Sequence, residues 1–132
     1  MKASANQVLD KLVEVLSTVA PAKTGFYQYG RLSAHLPCIT VQTTEIKTSK
    51  NGQKDELQVL VIISADALAA NADRLLITLC QNVQKALLSE QKINSNLDGL
   101  AREIVELSDA KIIAPDPNQP TAQGLLVYKI TY

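Results

Sequence analysis

The chain has 132 residues, 46% of them hydrophobic and 20% charged, which suits one globular domain (1–132) with its own core and no need for metal or disulfide staples. Thirteen basic residues balance thirteen acidic ones, for a net charge of zero. That speaks against nucleic-acid binding by bulk phosphate neutralisation, which leaves a basic excess, and it lowers one barrier to self-association.

Ser4 is placed to cap a first helix running to about Val19. Val8, Leu9, Leu12, Val13, Leu16 and Val19 recur at i, i+3, i+4 and i+7 and form one apolar stripe, with Asn6, Asp10, Lys11, Glu14 and Ser17 opposite. The same charges interrupt any signal-peptide core, so a soluble, cytoplasmic protein is expected. Pro21 ends the helix.

Pro21–Leu36 reads as irregular. It holds Gly25, Gly30 and the cluster Phe26, Tyr27, Tyr29, three of the five aromatic residues of the chain. The cluster is either a loop folded over one end of the core or an aromatic contact surface for a partner. His35, the single histidine, has no second histidine, cysteine pair or carboxylate partner nearby, and so marks neither a metal site nor a catalytic base.

Pro37 opens a strand over Cys38–Thr48, in which Ile39, Val41 and Thr43 alternate with Cys38, Thr40 and Gln42. Asn51-Gly52 signals a hairpin. Its tip, Lys47–Glu56, is polar and carries Lys47, Lys50 and Lys54, making it either a mobile loop or an arm that docks on a neighbour. The next stretch, Leu57–Ser64, is the one the chain is built around. Leu57, Val59, Val61 and Ile63 share one face at period two, and Leu60 and Ile62 make the other partly apolar. Each of the first four stabilises by roughly 1.5–3 kcal/mol when buried, before entropy is charged. Such a run is an aggregation hazard unless it is paired on both sides and covered by a helix. At five residues, its strictly apolar part, Val59–Ile63, is far too short to cross a bilayer.

A second helix starts at Asp66 or Asn71 and ends near Leu88, with Leu75, Leu76, Leu79, Cys80, Val83, Leu87 and Leu88 as its buried face and Ala69, Ala70 and Ala72 permitting close approach. Asn94–Gly99 breaks the pattern. A third strand falls within Ala101–Ala114, with a bulge or bend at Ser108–Lys111. The run Pro115–Pro120, with Asp116 inside it, is an extended surface loop. Gly124–Tyr132 is the last strand, Leu126, Tyr128, Ile130 and Tyr132 on one side and Leu125, Val127, Lys129 and Thr131 on the other, its end pinned into the sheet. The expected fold is α+β: a mainly antiparallel four-stranded sheet with two helices packed on one face, in the order α-β-β-α-β-β.

Nothing in the chain asks for catalysis, so no enzyme is expected. There is no phosphate-cradling glycine loop, nucleophile elbow, zinc or calcium motif, and no cofactor is implied. Cys38 and Cys80 lie outside any paired-cysteine pattern and read as small buried hydrophobes in a reducing interior. Asp66 and Asp73 read as caps at the second helix start, while Asp98, Glu103, Glu106 and Asp109 surround the third strand.

Three stretches carry a resemblance. These are Leu36-Pro37-Cys38-Ile39-Thr40-Val41, the central strand Gln58–Ser64 followed at once by a helix, and the closing strand Leu126-Val127-Tyr128-Lys129-Ile130-Thr131-Tyr132. Together with length and element order they make the chain similar to the tail terminator (minor tail protein U-like) family of long-tailed phages with a lambda-type tail. Some members of that family are strongly acidic, whereas this chain is neutral.

The resemblance implies a homo-oligomeric ring, usually hexameric, that caps the growing tail tube, ends its polymerisation and presents a surface for head attachment. The partners implied are other copies of the chain, the tail-tube protein and head-completion or connector proteins, in the host cytoplasm during assembly and then in the virion tail. Neither a membrane nor direct nucleic-acid recognition is expected. Phe26, Tyr27, Tyr29, Lys47, Lys50, Lys54 and Asp116 become candidate interface residues. Another head–tail joining or tail-completion protein is the first alternative. A small monomeric ligand-binding domain or enzyme, with a pocket against the sheet, is the second.

Overall fold

The computed structural model describes residues 4–26, 36–49, 54–90, 97, 99–115 and 120–132. Helix α1 (Ala5–Leu16) is followed by strands β1 (Ala22–Thr24), β2 (Cys38–Lys47) and β3 (Glu56–Asp66), helix α2 (Ala72–Ser89), and strands β4 (Glu103–Ile113) and β5 (Thr121–Thr131). The fold is α+β. Its sheet has five strands in the spatial order β1-β2-β3-β5-β4. All neighbours are antiparallel except β1 and β2, which run parallel.

The expected four-stranded sheet therefore gains an edge strand, in a segment read as irregular, and the element order becomes α-β-β-β-α-β-β. Three residues, two of them polar, carry no alternation that could announce a strand. Backbone bonds to β2 define it: Ile39 N–H donates to the Pro21 carbonyl at 2.8 Å, and Gly25 N–H to the Val41 carbonyl at 3.1 Å.

The central strand is as its pattern requires. β3 is paired with β2 on one side and β5 on the other, and Leu57, Val59, Val61 and Ile63 are fully buried. These four pack with Ile39 and Val41 of β2, Leu126, Tyr128 and Ile130 of β5, and buried residues of both helices in one core. Both helices thus cover the same face. α2 lies on β3 and β5 and reaches β4, while α1 lies against β1 and touches α2. Since β5 sits between β3 and β4, the β3-α2-β4 crossover skips one strand.

Helix α1 begins where Ser4 caps it. The Ser4 hydroxyl accepts from Gln7 N–H at 3.2 Å and the Gln7 side-chain carbonyl accepts from Ser4 N–H at 2.9 Å, a reciprocal capping box. It ends at Leu16 rather than near Val19, because the Ser17 and Thr18 hydroxyls donate to the Val13 and Val15 carbonyls, both at 2.7 Å, and the chain leaves the helix in a turn. Val15, outside the predicted stripe, is buried, whereas Leu9, Val13 and Val19 are only partly so.

Helix α2 buries Leu76, Leu79, Cys80, Val83 and Leu87, but Leu75 and Leu88 stand 37% and 65% exposed. They adjoin Leu76 and Leu87, the ends of the buried row, and at about 100° per residue each is turned to its flank. Ala69 and Ala70 are exposed, so they do not provide the expected close approach. Gly124 of β5 provides it instead: a Cβ there would lie 2.6 Å from the Cys80 sulfur.

Strand β4 shifts register between Glu106 and Ser108 and again before Lys111, where a bulge was expected. Leu97 enters the core from a turn with a left-handed backbone (φ 50°). Asp55 and Tyr132 exchange two backbone hydrogen bonds, at 3.1 and 2.9 Å, which pin the end of β5 beside the hairpin. Asn51-Gly52 and residues 116–119 of the proline loop lie outside the described residues.

Candidate interaction surface

Strand pairing places residues of the helix-free face in rows across β2, β3, β5 and β4. At the hairpin end the first row is Lys47, Glu56, Thr131, Glu103, and the next is Glu45, Gln58, Lys129, Val105. Further along come Gln42, Leu60, Val127, Ser108, then Thr40, Ile62, Leu125, Lys111, then Cys38, Ser64, Gln123, Ile113. The face is therefore charged at the hairpin end and apolar in its middle. Leu60, Leu125 and Val127 are half-buried, and Ile113 is exposed. Alternation in β3 and β5 announces this second apolar set, but only strand pairing brings its members together.

Glu45, Lys47, Glu56, Gln58 and Lys129 line a depression of about 30 Å³ at the charged end. Clefts that hold small organic ligands begin at about 300 Å³, so this one admits a water or an ion-sized group at most. Neither Lys47 nor Glu103 forms an ion pair with another described residue.

The sheet has two outer edges. Among the described strands β4 is paired with β5 alone, and β2 beyond Val41 with β3 alone. Thr44–Lys47 is exposed, including Ile46 at 59%, an apolar side chain set among Thr, Glu and Lys. Of the predicted interface residues, Phe26 is 79% exposed just past β1, and Lys47 and Lys54 stand on the two arms of the hairpin. Lys54 N–H donates to the Ser49 hydroxyl at 3.3 Å, and Ser49 N–H to the Asp55 carboxylate at 3.0 Å, which ties the arms together at their base. Tyr27, Tyr29, Lys50 and Asp116 lie outside the described residues, as do His35 and Asp98.

Several of the side chains singled out from the sequence are buried or occupied. Cys38 and Cys80 are buried free thiols. Burial pushes both up from the ordinary thiol range, Glu106 adding to the effect at Cys80 and Lys23 partly opposing it at Cys38, so neither is a ready thiolate. The Asp66 carboxylate accepts from Leu68 N–H at 2.9 Å, capping the turn before α2 rather than the helix. Asn71 takes the helix cap position without a side-chain hydrogen bond. Glu106 accepts from the Gln84 amide at 2.8 Å and joins β4 to α2. Among the described residues no group of three His, Cys, Asp or Glu side chains is placed to hold a metal, and no helix is long and apolar enough to cross a membrane.

No protein-family model and no curated protein matches the chain.

Proposed function

We propose that this chain is a structural assembly protein whose copies form a ring, hexameric as in the family it resembles, capping the tube of a phage or prophage tail. Capping ends tube polymerisation and leaves a surface for head joining. The observation that carries the reading is the one-sided sheet: among the described residues both helices lie on one face, while the other face, buried at Thr40, Ile62, Ser64 and Gln123, is exposed toward its charged hairpin end at Glu45, Lys47 and Glu103. Phe26, Lys47 and Lys54 lie at the margins of this surface, where a tube or head-completion protein would reach them. No covalent chemistry is needed.

Light scattering across a concentration series, on the chain alone and then with the tail-tube protein of the same phage, tests the reading. Rings, alone or formed on tubes whose growth they halt, support it. A strict monomer that leaves tube growth unchanged overturns it and turns attention to a monomeric ligand-binding domain. Rings that bind a head connector but ignore tubes move the chain to another head–tail joining station.

A further inference from the structure

Resting on the ring reading, we propose that neighbouring copies join through side chains of their two flanks: the α2–β4 flank of one copy, with Ile77, Leu88 and Ile112, packs on the β1–β2 flank of the next, with Phe26 and Ile46. No strand is added across this seam, and the backbone of the outer strands takes no part in it.

The first flank is the side of α2 next to its buried row. Ile77, Gln81, Gln84 and Leu88 recur at i, i+4, i+7 and i+11 and so share one side of the helix. The Gln84 amide donates to the Glu106 carboxylate at 2.8 Å, which turns that side toward β4, the outermost strand. On β4, Ile112 pairs with Gly124, and its Cδ1 lies 3.7 Å from where a Cβ of Gly124 would stand, beside the Cys80 sulfur. Ile112 is therefore on the helix-bearing face. Ile77, Leu88 and Ile112 are 46%, 65% and 43% exposed. None of the four helix residues on this side is charged, and depletion of charge at the centre of a patch marks an interface core.

The second flank lies across the sheet, at β1 and the part of β2 beyond it. The register shift between Thr43 and Glu45 sets Ile46 opposite Leu57, on the same helix-bearing face, and Phe26 follows just past β1. Charge selects which flank meets which. β4 holds three acids, Glu103, Glu106 and Asp109, against one lysine, Lys111, a net of −2. β1 and β2 together hold Lys23 and Lys47 against Glu45, a net of +1. A twofold pairing would set like flanks against each other, whereas unlike flanks attract. Joining two different flanks is a head-to-tail contact, which closes into a ring when the rotation between copies divides a full turn. Both apolar sets are then covered in every copy.

The test reverses the charge of each flank at exposed positions and follows sedimentation of the full chain. Lys23→Glu with Lys47→Glu takes the basic flank from +1 to −3, and Glu103→Lys with Asp109→Lys takes the acidic flank from −2 to +2. Each double variant should associate about tenfold more weakly than the native chain, since like flanks then meet at every seam. Mixed in equal amounts, the two should form rings again, because each reversed flank finds its complement in the other chain. A misfolded variant cannot give that rescue. Ile46→Ser and Leu88→Ser should each weaken the ring by about tenfold too, with an unchanged circular dichroism spectrum. Rings of native strength in these variants overturn the flank pairing while the ring reading stands, and so does a loss that mixing fails to restore. Variants that keep their rings but no longer halt tube growth give the flanks to the tube protein and overturn it as well. A native chain that never forms rings, alone or with tubes, overturns both readings.

Discussion

Gly124→Ala tests the tightest approach in the core. The new Cβ would sit 2.6 Å from the Cys80 sulfur, while Ile112 Cδ1 at 3.7 Å and Ile63 Cβ at 3.9 Å make ordinary contacts. Optimal carbon contacts lie near 3.5–4.0 Å, so α2 and β5 must part by about 1 Å, or Cys80 must leave its rotamer. Overpacking of a close-fitted core costs about 1–3 kcal/mol. Alanine recovers about 0.5–1 kcal/mol of that, because glycine in a strand interior is entropically unfavourable. The net expectation is a loss of about 1–2 kcal/mol in urea unfolding, with an unchanged denaturant slope. Cys80→Ala on its own leaves a small void and destabilises too. In the double variant the methyl occupies that void, so the two losses should fail to add by about 1–2 kcal/mol. A neutral or stabilising Gly124→Ala, or strict additivity, would refute the claim that this glycine sets the helix–sheet distance.

Three further outcomes follow from named residues. The Ser64 hydroxyl is buried with no hydrogen-bond partner among the described residues, so Ser64→Ala should be neutral or stabilise by about 1 kcal/mol in the same unfolding assay; a loss of more than about 1 kcal/mol would mean the hydroxyl has a partner. Ser4→Ala removes the capping box of α1 and should cost about 1 kcal/mol, with Ser4→Asp keeping most of the stability. Burial, then Glu106 and Cys80, pushes the Tyr128 phenol well above its ordinary value of 10.0. Its native ionisation is thus harder than its unfolded one, so its contribution is complete below pH 10 and is lost as pH rises above that. Tyr132 and both thiols shift the same way, so stability should fall steadily on the alkaline side from about pH 9. Tyr128→Phe should flatten that fall in a pH series of thermal melts, and an unchanged slope would count against it.

Much of the candidate surface was legible from residue types alone, but not its arrangement. Lys47 and Lys54 were singled out because lysines flanking an Asn-Gly turn belong to a solvent-facing hairpin, and both are exposed there. Glu103 was visible only as one of several acidic residues around a strand. Its level position with Lys47 depends on three successive strand pairings, and no local pattern encodes those. Ile46 was likewise hidden: by parity it falls with Cys38, Thr40 and Gln42, and only the register shift between Thr43 and Glu45 sets it opposite Leu57, where it stands exposed.

By itself the sequence determined the elements whose burial repeats with their own period. These are β3 and β5, where alternate residues meet the core; the core stripe of α1 from its Ser4 cap; and the buried row of α2. Burying a side chain every second or every third-to-fourth residue is a local property, written in neighbouring letters. Only the tertiary structure decided what depends on elements distant in the chain: that Ala22–Thr24 becomes a strand by pairing with β2, that β5 inserts between β3 and β4, and that Gly124 meets Cys80. It also decided which apolar residues are left over, Leu75, Leu88 and Ile46 among them. Hydrogen bonds between strands and contacts between layers are pairwise, and their partners lie tens of residues away. One residue's pattern carries its own half of such a contact and never the other.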